Sequence, residues 1–173
     1  IQTQFNTYKT NLNLRLLLAR MYSLNNQLDK TVSLLADVEG NEASPQAFWN
    51  LKGQALIATN NLKDATAFFD RWLSFYPQDK NAVLGKLLIV DSQKQFEQGL
   101  TLINKVLAKR PDAQLTLLKA YFHSRLGQAK PAWDIINSTA EEVRALPFVR
   151  GVIARLYLID KAPEQAVEHA KAA

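Results

Sequence analysis

Apolar residues recur along this chain with the spacing of amphipathic helices. The stretch Leu62, Ala65, Phe68, Phe69, Trp72, Leu73, Tyr76 places apolar side chains at i, i+3, i+4 and i+7, one face of an α-helix. No segment alternates apolar and polar residues for long enough to predict a strand, so the expected class is all-α. The same pattern returns at a fixed period. Positions that call for a slim side chain on a first helix are Ala19, Gly53, Leu87, Ala120 and Ala154, spaced by 34, 34, 33 and 34 residues. Three residues later stand Tyr22, Leu56, Val90, His123 and Tyr157. A second helix contributes Thr31, Ala65, Gly99, Ala132 and Ala166, and one turn further Leu35, Phe69, Ile103, Ile136 and Ala170. The columns share one register, with a single-residue deletion between Pro111 and Ala120.

The connecting residues keep step. Asn26, Asn60, Lys94, Gly127 and Lys161 fall between the helices of successive pairs. Asn and Gly tolerate the left-handed conformation that ends many helices; the two lysines imply a modest strain or a different turn. Pro131 and Pro163 fall in first turns of second helices, where a missing N–H is harmless, whereas Pro77 and Pro111 close a unit. Each unit then reads as two antiparallel helices of three to four turns. Ser138-x2-Glu141 matches a capping box and predicts a short fourth second-helix, with a new turn starting near Ser138.

The second unit carries Trp49-x2-Lys52-Gly53-x2-Leu56, Ala65-x3-Phe69 and Pro77. This resembles the tetratricopeptide repeat (TPR), W-x2-L-G-x2-Y, A-x3-F, P on a 34-residue period, with Lys52 and Leu56 as departures. The resemblance covers residues 12–173 and implies a right-handed α-solenoid of about five stacked hairpins, 12–45, 46–79, 80–112, 113–146 and a short 147–173. Residues 1–11, with Ile1, Phe5 and Tyr8, fit the end of a preceding second helix, so the chain reads as a piece of a longer bacterial repeat protein. A lone hairpin cannot bury its apolar face, so stacking of neighbours supplies the core. The small column is expected to bring Gly53 close to Ala65, and Ala120 close to Ala132.

In proteins of this kind the first helices line a groove that holds a peptide or helix of a partner. Helix geometry selects Leu16, Arg20, Asn50, Gln54, Leu84, Leu88, Leu117, Tyr121 and Arg155 as groove candidates, extended by Ser23, Ile57, Asp91, Ser124 and Leu158. The stripe runs from polar at Arg20, Asn50 and Gln54 to apolar and aromatic at Leu84, Leu88 and Tyr121. TPR domains that clamp the carboxylate of chaperone tails use Lys and Asn; the matching positions here are Leu16 and Arg20, Asn50 and Gln54, Asn81 and Gly85, which disfavours that role. The degenerate units look like those of bacterial cell-envelope TPR proteins, some linked to polysaccharide export and protein sorting, which favours periplasm or envelope over cytoplasm.

Composition narrows the chemistry. The 173 residues contain no Cys and two His, which excludes disulfides, thiolate metal sites, thiol nucleophiles and multi-histidine centres. His123 shares a column with Tyr22 and Tyr157 and reads as packing; His169 reads as solvated. Glu141 and Glu142 are adjacent and point apart on a helix. No phosphate loop, H-E-x-x-H or G-x-S-x-G occurs. No catalytic residue, metal site or cofactor is expected, and the expected role is a non-catalytic scaffold for another protein. Lys and Arg number 21 against 16 Asp and Glu. Residues 80–173 carry the whole surplus without a basic run, too mild a field for nucleic acid. The Trp and Phe residues sit at core spacing, and no apolar run reaches the roughly 18 residues of a membrane span. Two alternatives stand beside the groove: self-association or a structural spacer, and a polyanion- or carbohydrate-binding solenoid using Arg125, Lys130, Arg144, Arg150 and Arg155.

Overall fold

The structure, a computed structural model, describes residues 11–173. The expectation for Ile1, Phe5 and Tyr8 lies outside the described residues. The elements in chain order are α1 (Leu12–Leu24), α2 (Leu28–Leu34), α3 (Gln46–Ala58), α4 (Leu62–Phe75), α5 (Lys80–Ser92), α6 (Phe96–Leu107), α7 (Ala113–Arg125), α8 (Ala129–Asn137), α9 (Glu141–Arg144), α10 (Pro147–Ile159) and α11 (Pro163–Lys171). No strand occurs among the described residues.

Short polar side chains start several of these helices. Asn11 accepts from the Leu14 N–H, Asn61 from Asp64, Asp79 from Ala82 and Asp112 from Leu115, satisfying amides that have no partner inside the helix. The ends are more uniform. Asn26, Asn60, Lys94 and Lys161 have φ of 55°, 54°, 59° and 60°, and Gly127 has 72°. Both lysines therefore make the same left-handed turn as Asn and Gly. After each of them the next N–H reaches back to one column of carbonyls: Gln27 to Tyr22, Asn61 to Leu56, Gln95 to Val90, Gln128 to His123 and Ala162 to Tyr157, at 2.8–3.1 Å. Five identical closures fold each helix pair into an antiparallel hairpin.

Helix lengths depart from the regular expectation. α2 has seven residues and its carbonyl end is taken by two cations from first helices. Arg15 donates to Leu34 O and pairs with Asp37, and Lys52 Nζ donates to Leu35 O at 2.8 Å, Ala36 O at 3.3 Å and Val38 O at 2.7 Å. Charged donors at carbonyls substitute for the turns that a longer helix would supply. α8 is short, as the Ser138 signal predicts, but by another route. Ser138 Oγ donates back to Ile135 O, and α9 starts after Ala140 with no side-chain cap.

The described residues form two compact units, the first ending at Ile89 and the second starting at Val90. In the first, Phe48, Trp49, Phe68, Phe69 and Trp72 make one aromatic cluster, with Trp49 and Trp72 stacked at 5.7 Å. Arg15 and Lys52 are the buried cations beside it. In the second, Ala120, Ala132, Ile136, Val152, Ile153 and Leu156 form the core. Ala19 and Thr31 are fully buried, and Thr31 Oγ1 bonds Ala19 O at 3.2 Å, a close approach at the small column. At Gly53 a Cβ would meet Phe69 Cζ at 2.9 Å and Phe68 and Trp72 at 3.3 Å, so aromatic rings from α4 use the space its missing side chain leaves.

Candidate functional site

Four groove candidates converge on one cleft of the first unit. Asn50 and Gln54 come from α3, and Leu84 and Leu88 from α5; Ile57 and Asn81 complete the walls. The cleft has a volume of about 170 Å³, and its floor is Phe69, Trp72 and Gly85. α4 delivers that floor because Phe69 and Trp72 are three apart on its buried face. Gly85 allows the approach: a Cβ there would lie 2.9 Å from Phe69 Cδ1 and nearer still to Cε1 and Cζ.

The rim is polar and the lip apolar. Asn81 Nδ2 donates to Asn50 Oδ1 at 3.1 Å, which ties the two first helices together. Leu88 stands 60% exposed at the edge. The surface thus offers amide groups on one side and an aliphatic ledge on the other. Nothing in it can act as a nucleophile or a general base.

Leu16 lies elsewhere: it is packed into the core with Ala19 and Leu35, and Arg20 is exposed on the same helix. In the second unit Leu117 and Tyr121 share a face of α7. The Tyr121 ring is 5.7 Å from Phe148 of α10, and its hydroxyl donates to Asp91 Oδ1 at 2.8 Å. Burial first, then that bond to Asp91, raises the Tyr121 pKa. Arg125 lies over the Phe96 ring at 4.5 Å and pairs with Asp91 at 3.3 Å. Ser124 is buried, Asp91 is engaged as described, and Arg155 and Leu158 of α10 are exposed.

The cations named for polyanion binding do not form one cluster. Arg125 is held by Asp91 and Lys130 by Asp134 at 2.9 Å, while Arg144 and Arg150 line a separate cleft. His123 Nδ1 is 2.6 Å from Gln128 Oε1. His169 is not solvated: its ring is half-buried and stacks on Tyr157 at 5.4 Å. No group of three His, Cys, Asp or Glu residues suited to a metal occurs among the described residues. No described helix is long and apolar enough to cross a membrane.

Phe69, Trp72 and Gly85 were not among the groove candidates. The signal for them is present, since Gly53 and Gly85 each leave a gap on a first helix and Phe69 occupies the bulky column of the helix between them.

No family model matches the sequence, and no curated protein matches it. Solved structures do. MamA (residues 41 to the end) from Desulfovibrio magneticus RS-1 superposes with a TM-score of 0.75 at 17% identity, over 92% of this chain and 92% of that one. MamA MSR-1 gives 0.67 at 18%, over 92% and 94%. A tetratricopeptide repeat protein from Parabacteroides merdae ATCC 43184 gives 0.61 at 18%, over 99% of this chain and 68% of that one. The fold is that of a TPR-like α-solenoid.

Proposed function

We propose that this chain is a non-catalytic scaffold that binds an extended segment of a partner protein along its first helices, with the α3–α5 cleft as the anchoring point. The observation that carries this reading is the joining of Asn50, Gln54 and Asn81 with Leu84 and Leu88 over the Phe69 floor. Side-chain amides pair with a peptide backbone of any sequence, and the exposed Leu88 beside Ile57 rewards one apolar side chain of the ligand. The TPR-like fold supports the reading, because its stacked hairpins present first helices side by side. A bacterial envelope setting, such as polysaccharide or protein export, agrees with the degenerate repeats and the lack of Cys.

The test is selection from a displayed library of random peptides against the parent protein and against Leu88→Asp. The parent enriches peptides with a recurring apolar residue between polar neighbours, and the variant loses them while its melting curve stays the same. Equal enrichment on both proteins overturns the reading.

One observation favours self-association as a second reading. Leu14, Leu17, Met21 and Leu24 form an exposed apolar stripe on α1, whereas Phe48 and Ala55, the register partners of Leu14 and Met21 on α3, are fully buried. A second copy would cover such a face. Sedimentation across a wide concentration range separates the two: a single species throughout removes this reading.

A further inference from the structure

The repeat register places two related clefts in the molecule, one in each unit. The first is lined by Val32, Ala36, Lys52, Leu56, Phe68 and Arg71. The second is lined by Trp133, Asn137, Ile153, Tyr157 and His169, which stand 101 residues after the first five, together with Glu141, Arg144 and Arg150. Both lie where a second helix stops short and the chain turns toward the next hairpin. Their chemistry differs.

In the first cleft the protein satisfies its own cations. Lys52 gives its ammonium to the three carbonyls after α2, and Arg71 donates to Gly40 O at 2.8 Å and reaches Glu39 at 3.5 Å. In the second, Ile153 replaces the lysine, and Ser138 and Thr139 return their hydroxyls to Ile135 O and Ile136 O at 2.7 Å. The carbonyl end of α8 therefore makes no demand on the arginines. The Arg150 guanidinium uses only Nε, on Ala145 O at 3.0 Å, and the Arg144 side chain makes no hydrogen bond or ion pair with any described residue, its backbone N–H alone bonding Ala140 O at 3.1 Å. Two half-buried arginines thus line a cleft of about 350 Å³ with guanidinium donors to spare.

The opposite wall is aromatic. Trp133 packs edge-on to Tyr157 at 5.2 Å, and Tyr157 stacks on His169 at 5.4 Å. Trp133 Nε1 is fixed by Asp160 at 2.7 Å, so the indole is held in place before any ligand arrives. His169 Nδ1 is buried with no partner, a polar atom that a ligand group can satisfy. The volume falls in the range of small-molecule sites, about 300–1,000 Å³.

From this arrangement we infer a second binding site, in the α8–α11 cleft, for a planar aromatic monocarboxylate. The guanidinium forks of Arg144 and Arg150 take the carboxylate, and the ring lies against Trp133, Tyr157 and His169. Two arginines against Glu141 leave one net positive charge, which matches a carboxylate and disfavours a phosphate dianion. The carboxylate belongs either to a free aromatic acid or to an aromatic residue at a chain end.

The test is titration of ¹⁵N-labelled protein with benzoate and, separately, with neutral benzamide, following the indole Nε1–H signals. Of the three tryptophans, only Trp133 lines this cleft, so its signal moves with benzoate while those of Trp49 and Trp72 stay still, and benzamide leaves all three in place. Arg144→Gln, which breaks no side-chain hydrogen bond or ion pair within the described residues, weakens benzoate about tenfold or more, the effect of losing a charge-assisted bond. Leu88→Asp leaves the titration unchanged, which separates this site from the α3–α5 cleft. A tripeptide ending in a free phenylalanine carboxylate, compared with its amide, identifies the source: tighter binding than benzoate assigns a chain end, weaker binding a free acid. A Trp133 signal unmoved by saturating benzoate, moved equally by benzamide, or titrating identically in Arg144→Gln overturns the site.

Discussion

Phe69 lies against Gly85 in the space a side chain would occupy, and its ring tip also meets the vacant side of Gly53. One ring is thus received by glycines of two first helices, and the same ring is part of the cleft floor. Packing of the core and shape of the surface are set by one side chain.

This gives a ranked expectation for alanine substitutions. In a helix interior, Gly→Ala gains about 1 kcal/mol of propensity. At Gly151 of α10 a Cβ meets nothing within 4 Å, so Gly151→Ala stabilises by about that amount. Gly53→Ala must displace Phe69 Cζ from 2.9 Å and comes out near neutral or worse. Gly85→Ala drives into the ring and destabilises by about 1–3 kcal/mol. Urea melts of the three variants give the order, and any inversion contradicts the packing.

Lys52 is the departure from the repeat pattern that the structure explains most directly. Replacing it with Met keeps the stem and removes the ammonium, leaving the carbonyls of Leu35, Ala36 and Val38 without that donor. Lys52→Met should destabilise by roughly 1–3 kcal/mol in denaturant titrations, although Met is closer to the consensus Leu. Burial lowers the Lys52 pKa from 10.5. Between the folded value and 10.5 the unfolded chain binds the extra proton, so the parent gains stability with rising pH there, and the Met variant lacks that gain.

The register itself was legible, because hairpin stacking repeats each side-chain requirement at a fixed step. Asn26, Asn60, Lys94, Gly127 and Lys161 share one conformation although three residue types occupy it. Asn50, Gln54, Leu84 and Leu88 meet because spacing alone puts them on facing sides of α3 and α5. Leu16 escaped the same arithmetic: an apolar residue at the edge of a stripe turns inward when core neighbours such as Leu35 receive it. The seven-residue α2 was not legible either. Its end is decided by Arg15 and Lys52, which reach it from two other helices, and a one-dimensional pattern holds no record of such reach.

The left-handed lysines supply another test. A non-glycine residue at positive φ is disfavoured by about 1–2 kcal/mol, and a glycine there gives back about 0.5–1 kcal/mol in chain entropy. Lys94→Gly and Lys161→Gly should each stabilise by up to about 1 kcal/mol, and Gly127→Ala should destabilise by about 1 kcal/mol. Thermal melts check both signs; a loss on Lys94→Gly would mean that the lysine side chain contributes something beyond the turn.

Acid should act through Asp37. The hydrogen bond from Arg15 holds its carboxyl below the ordinary value of 3.8. Well above 3.8 both folded and unfolded chains carry the carboxylate, and the pairing contributes in full. As pH falls through 3.8 the unfolded chain takes up the proton first, so the contribution shrinks, and it is gone below the folded value. Asp37→Asn lacks this dependence. The gap in melting temperature between parent and variant should therefore be constant near neutrality and close as pH drops below 3.8. Because Asp37 is largely exposed the gap is small, and added salt narrows it further at neutral pH. Parallel melts at stepped pH, in low and high salt, decide the matter: a gap that persists undiminished at the acid end would show that Arg15 is held at the end of α2 by Leu34 O alone, with the ion pair contributing nothing.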